Sequence, residues 1–210
     1  MAIYALVAFL VAASVFCLTD GGVRLAIQFA LARRIGFVFT PKLIIVGDSL
    51  AAGCPWRKLY RLPFATLNLA TGGATIKEIA GQIYRARDIR APWLLIDGGL
   101  NDLLFDSADA EQIESDFSAL FRRIGDDRRV IVTLMPYVAD PAQTTRINEA
   151  NRRLLTLCAA RDDKVIDLNP VISKDGVRAA DMTPDGLHFS RKAERVWLDA
   201  VGSVIRSKNT

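Results

Sequence analysis

From Pro41 onward, short apolar runs rich in β-branched residues alternate with amphipathic stretches, and this alternation constrains the fold more than any other feature. The runs Leu43–Gly47, Ala65–Ala70, Trp93–Asp97, Val130–Met135 and Val165–Leu168 read as strands. LIIV in the first and VIVTLM in the fourth are nearly apolar throughout, which suits burial on both faces of a sheet. Between the strands the spacing predicts helices. Thr75 and Glu78 have capping-box spacing and open a helix towards Arg87. From Asp109 to Ile124, the residues Ile113, Phe117, Leu120, Phe121 and Ile124 recur at helical intervals, and Gly125 is a natural stop. Thr144–Arg161 and Arg191–Ile205 complete the helical set. Such alternation predicts a parallel sheet of five strands with helices on both faces. Residues 41–210 are then one α/β domain of ordinary size, with no internal repeat or low-complexity linker.

The preceding residues have a different character. Met1 to Leu18 carries no charged side chain and, as a helix, spans about 27 Å, close to the roughly 30 Å of a bilayer's hydrocarbon core. A cleaved signal would want a basic start and a small-x-small site before a polar mature end. Here the start has no Lys or Arg, and Val15, Phe16 and Cys17 follow Ala12-Ala13-Ser14. Residues 1–20 are therefore expected to be an N-terminal hydrophobic helix, an uncleaved membrane anchor rather than a removed signal. Residues 21–40 mix Leu25, Ile27, Phe29 and Leu31 with Arg24, Arg33 and Arg34. They form an amphipathic connector, either lying on the membrane surface or packed on the domain. All the basic residues follow the apolar segment, so the positive-inside rule places the domain in the cytoplasm.

Composition narrows the chemistry. The net charge of +4 is dispersed along the 210 residues, which gives a nucleic-acid partner little support. Three cysteines without a CxxC, and a single histidine, argue against a disulfide framework and a zinc site. No metal and no cofactor are expected, and no exposed heptad or sheet-edge pattern indicates an oligomeric state.

In an open parallel sheet, ligands bind beyond the carboxyl ends of the strands, so the residues following each strand carry the information. Gly47-Asp48-Ser49-Leu50-Ala51-Ala52-Gly53 follows the first, Thr71-Gly72-Gly73 the second, and Gly98-Gly99-Leu100-Asn101-Asp102 the third. After the fifth, beyond a loop, comes Asp185-Gly186-Leu187-His188. A serine hydroxyl attacks a carbonyl only when a base removes its proton, and His188 is the one imidazole in the chain. Asp185, three residues earlier, is placed to accept the other ring N–H and fix the tautomer. The oxyanion formed on attack needs donors. The backbone N–H groups of Ser49 and Gly73 and the amide of Asn101 are the candidates. Taken alone, Ser49 is equally well an N-cap, Asn101 an Asx turn and His188 a surface residue. Their convergence on one rim favours function. Asp48, Asp102, Gly72 and Gly99 are read as structural.

These four blocks resemble the SGNH, or GDSL-like, lipase and esterase family over essentially residues 42–210. GDSLAAG resembles its nucleophile block, Asn68 to Gly73 its glycine block, Gly99-Leu100-Asn101-Asp102 its GxND block and Asp185-Gly186-Leu187-His188 its DGxH block. The resemblance implies a flavodoxin-like three-layer α/β/α sandwich. It also implies a serine hydrolase with catalytic Ser49, Asp185 and His188, an oxyanion hole of Ser49, Gly73 and Asn101, and no metal. Its expected reaction is hydrolysis of acyl or acetyl esters through an acyl-enzyme on Ser49, in a shallow open cleft. An acyl or acetyl transferase, or a deacetylase acting on glycans, would use the same machinery, and a catalytically silent binding module would keep only the fold. The expected partners are a small-molecule, glycan or lipid ester and, through the N-terminal segment, a membrane. Many relatives are exported, so family and positive-inside rule point to opposite sides of that membrane.

Overall fold

The computed structural model describes residues 41–60, 66–124 and 128–207. The expected anchor and connector (residues 1–40) and the stop at Gly125 lie outside the described residues. Among the described residues, no helix is long and apolar enough to cross a membrane.

Five parallel strands form the sheet: β1 (Leu43–Val46), β2 (Thr66–Asn68), β3 (Trp93–Ile96), β4 (Arg129–Thr133) and β5 (Lys164–Ile166), in the order β2-β1-β3-β4-β5. This is the flavodoxin-like order, with its reversal between β1 and β3. β1 and β3 are buried along their whole length because helices cover both faces, which is why their sequences carry no polar alternation. The chain leaves β1 through two short helices, α1 (Ser49–Gly53) and α2 (Arg57–Tyr60). It returns from β2 through α3 (Ile76–Arg85), and Thr75 and Glu78 close the expected capping box at its start. The short helix α4 (Leu100–Leu104) and α5 (Ala110–Phe121) connect β3 to β4. α6 (Thr144–Ala160) connects β4 to β5 and packs beside α5, which also contacts α3. Crossovers in parallel sheets are right-handed, so reversing the direction of travel across the sheet puts helices on opposite faces. The last helix, α8 (Arg191–Arg206), touches α2 and β5.

Two departures from the expected elements have local causes. Leu134 and Met135 are buried but lie beyond β4: Leu134 N–H still donates to the Ile166 carbonyl at 2.9 Å, whereas the Asn151 side chain takes both backbone groups of Met135. The fifth strand ends at Ile166 because α7 (Asn169–Ile172) begins soon after, with Pro170 in its first turn. A hairpin of two-residue strands, β6 (Ser173–Lys174) and β7 (Val177–Arg178), was not expected. Its turn holds Asp175 and Gly176 at positive φ.

The core runs through the sheet and both helical layers. Trp197 of α8 is fully buried, donates its indole N–H to Thr133 Oγ1 at 2.9 Å, and meets Trp56 and Phe189 edge-on. Trp56 follows α1 and Phe189 follows His188, so this aromatic cluster supports both sides of the carboxyl rim. Cys54 and Cys158 are buried free thiols, and burial pushes both up from the usual thiol range.

Candidate active site

The carboxyl end of β1 is shaped by one tight approach. A Cβ at Gly47 would sit 2.6 Å from the Asp97 carbonyl oxygen, so only glycine lets the ends of β1 and β3 converge here. The buried amide of Gln82 brackets the same residue: Gly47 N–H donates to Gln82 Oε1 at 2.8 Å, and Gln82 Nε2 donates to the Gly47 carbonyl at 3.0 Å. Asp48 then caps α1 by accepting Leu50 N–H at 2.9 Å. Ser49 becomes the first helical residue, in a turn whose N–H groups have no partner within the helix. With only five residues, α1 brings a small dipole, and its N–H groups are the stronger local feature.

His188 reaches Ser49 from outside the sheet. The turn before it is held by Thr183 Oγ1, which accepts Gly186 N–H at 2.8 Å, and by Asp185 Oδ1, which accepts the N–H groups of Leu187 and His188 at 3.0 and 2.7 Å. Gly186 has φ +88°, and a Cβ there would lie 2.9 Å from Ala139 Cβ. In this turn Asp185 Oδ2 lies 2.7 Å from His188 Nδ1, and His188 Nε2 lies 3.1 Å from Ser49 Oγ. A carboxylate beside Nδ1 keeps the proton there and leaves the Nε2 lone pair facing the hydroxyl. The His188 ring and the two backbone N–H groups hold the Asp185 carboxyl well below the usual carboxylate range. Asp185 therefore stays ionised, although its side chain is half exposed.

The other expected residues lie in the loops after β2 and β3. Gly73 is exposed with φ +75°, in the left-handed region where glycine is favoured. Asn101 Nδ2 donates to the Ala74 carbonyl at 3.0 Å, which ties the start of α4 to the glycine loop. Asp102 offers both carboxyl oxygens to Ile76 N–H at 3.1 Å, a structural role at the start of α3. A cavity of about 700 Å³ adjoins this junction, with Thr75, Asp102, Asp106, Ser107, Asp109 and Gln112 in its wall. No group of three or more His, Cys, Asp or Glu among the described residues is arranged to hold a metal ion.

Sequence reasoning missed a buried charged cluster behind these residues. Asp48, Asp97 and Arg178 are each at least 97% buried. Burial pushes both carboxyls up, and for Asp97 the neighbouring Asp48 adds to it. Burial also pulls the Arg178 guanidinium down to about 10. Asp97 lies close enough to Asp48 and to Arg178 for charge to act between them. An aspartate ending an apolar strand was the available signal for Asp97; for Arg178 the sequence holds none.

A sequence model of the GDSL-like lipase/acylhydrolase family matches residues 45–196. The chain belongs to that family. Ester hydrolysis is accordingly the general chemistry of the domain. A GDSL-like lipase from Bacteroides thetaiotaomicron has a similar fold, with a TM-score of 0.68 at 14% identity over 86% of this chain and 99% of that one. A carbohydrate esterase family 3 protein from Talaromyces cellulolyticus gives 0.61 at 14% identity, covering 80% and 99%. At such identities the likeness is one of fold. An N-acylneuraminate cytidylyltransferase from Streptococcus agalactiae is 24% identical over 153 residues, 71% of this chain. The chain spans about a third (35%) of that relative's length.

Proposed function

We propose that the protein is a serine esterase that cleaves acyl or acetyl esters through an acyl-enzyme on Ser49. The observation that carries this reading is the continuous line from Asp185 through both nitrogens of His188 to Ser49 Oγ, at 2.7 and 3.1 Å. Ser49 Oγ attacks the ester carbonyl carbon while His188 Nε2 takes the hydroxyl proton. Asp185 holds the ring and stabilises the imidazolium. The carbonyl oxygen becomes an oxyanion, accepted by the N–H groups of Ser49 and Gly73 and by the Asn101 amide. Collapse breaks the bond to the alcohol oxygen, which leaves with the proton from His188. A water molecule then repeats the sequence on the acyl-serine and releases the acid.

Deacetylation of a glycan, or transfer of the acyl group to one, would use the same machinery. The test is labelling by a fluorophosphonate, together with hydrolysis of acetylated sugars and of long-chain acyl esters. Labelling is expected in the wild type and not in Ser49→Ala, and the ester cleaved faster assigns the substrate class. A folded wild-type protein that resists the label would point to a silent binding module instead.

A further inference from the structure

Arg178 is almost completely buried, yet nothing in the reaction just described uses it. It sits at the end of the β6–β7 hairpin, where its backbone N–H donates to the Val138 carbonyl at 3.1 Å. Its guanidinium spans two loops. Nε donates to the Tyr137 carbonyl at 2.6 Å, and Nη1 donates to the Leu187 carbonyl at 3.2 Å. Its carbon centre lies 4.7 Å from the centroid of Phe189. The guanidinium thus holds the residue before His188 by a hydrogen bond and the residue after it by a cation–π contact. Asparagine side chains brace the loop on its other side: Asn169 accepts Tyr137 N–H at 2.7 Å, and Asn151 brackets Met135. Ala139 N–H donates to the Gly186 carbonyl at 2.8 Å, a second link from this loop to the His188 turn.

We propose that Arg178 is a positioning residue that fixes the orientation of the His188 ring towards Ser49 by clamping Leu187 and Phe189 from beneath. Burying a guanidinium is costly, and an apolar side chain of similar volume would serve packing alone as well or better. The planar fork is suited to two carbonyls and an aromatic face at once. Asp97, close enough for its charge to act on Arg178, lets the cation remain in the interior. The inference rests on the esterase reading for its kinetic half only.

The test uses the fact that His188 is the sole histidine. Its two ring nitrogens can be followed by long-range ¹H–¹⁵N NMR of the whole chain, without a substrate, at a pH where the ring is neutral. The wild type is expected to show one tautomer, protonated at Nδ1, with a downfield proton from the bond to Asp185. In Arg178→Met that proton is expected to vanish and the tautomers to average, while the Trp197 indole resonance stays in place. kcat should fall tenfold or more, with KM within about twofold. Arg178→Lys keeps the charge without the fork and should fall between the two; it supplies the same readouts if the methionine variant fails to fold. Folded variants with wild-type His188 signals and kcat overturn the role of Arg178 alone. A wild type without the Nδ1–H signal overturns this role and the Ser49–His188–Asp185 reading together. A wild type with the signal but no esterase activity overturns the esterase reading, and the NMR comparison still decides the clamp.

Discussion

Ser49 and His188 face each other across 3.1 Å but are held in place by different means. Ser49 stands at the end of the most buried strand, over a glycine that only a close strand approach explains, and the buried amide of Gln82 locks that glycine. Asp185 and His188 sit on a partly exposed turn that belongs to no strand or helix. That turn is held by hydrogen bonds within itself, by one link from Ala139 and by the Arg178 fork. One half of the site is therefore part of the core, and the other is fastened onto it. Damage on the first side should appear as lost stability, and damage on the second as lost activity in a protein that still folds.

The largest effect that separates the two halves is expected for Asp185→Asn. The change keeps an oxygen for the Leu187 and His188 N–H groups but removes the charge and favours the wrong tautomer. kcat for ester hydrolysis should drop by about 10⁴-fold, with Tm barely moved. A variant that melts early instead would place this turn in the cooperative core. Next is Asn101→Ala, which removes one of the proposed oxyanion donors and should lower kcat by about 10²–10³-fold. An unchanged kcat with a raised KM would assign Asn101 to ground-state binding alone.

Gln82→Leu tests the other half. It leaves Gly47 N–H buried without an acceptor, while the Gly47 carbonyl keeps its bond from Thr71 N–H at 3.0 Å. Urea unfolding should show a loss of about 1–3 kcal/mol, with kcat close to wild type in the protein that remains folded. A collapse of kcat at unchanged stability would reverse the contrast between the halves.

The smallest effect concerns the acid pair beneath Ser49. Asp48 and Asp97 have folded-state values raised by burial, so their contribution to stability is full below the ordinary carboxylate range. It is lost as the pH rises through the raised values. Asp97→Asn removes one titrating group of the pair and, with it, the charge facing Arg178. Its unfolding free energy should decline less than that of the wild type as the pH rises above the ordinary carboxylate range. Parallel curves would mean that the pair is not the source of that decline.

The parts legible in the sequence were those whose residue types leave little choice. Runs such as LIIV and WLLI can be stable only where both faces are covered, so the sheet could be read directly. A single histidine with an aspartate three residues earlier left one partner for Ser49. The hairpin was hidden because two-residue strands have no periodicity to detect. Gln82 and Arg178 were hidden for a different reason. Gln82 lies on a helix with the ordinary spacing of an amphipathic face, and Arg178 looks like any charged residue in a loop. What makes each of them matter is a backbone group 35 or 41 residues away that needs a partner in the interior. That distance is a property of the fold, not of local pattern.

The direction of β1 also decides how the domain presents itself. Pro41 and Lys42 enter at the amino end of this strand, and Ser49 lies just past its carboxyl end. With all five strands parallel, every loop of the candidate site opens on the side away from that entry. A substrate therefore reaches Ser49 from the face opposite the one at which the described chain enters.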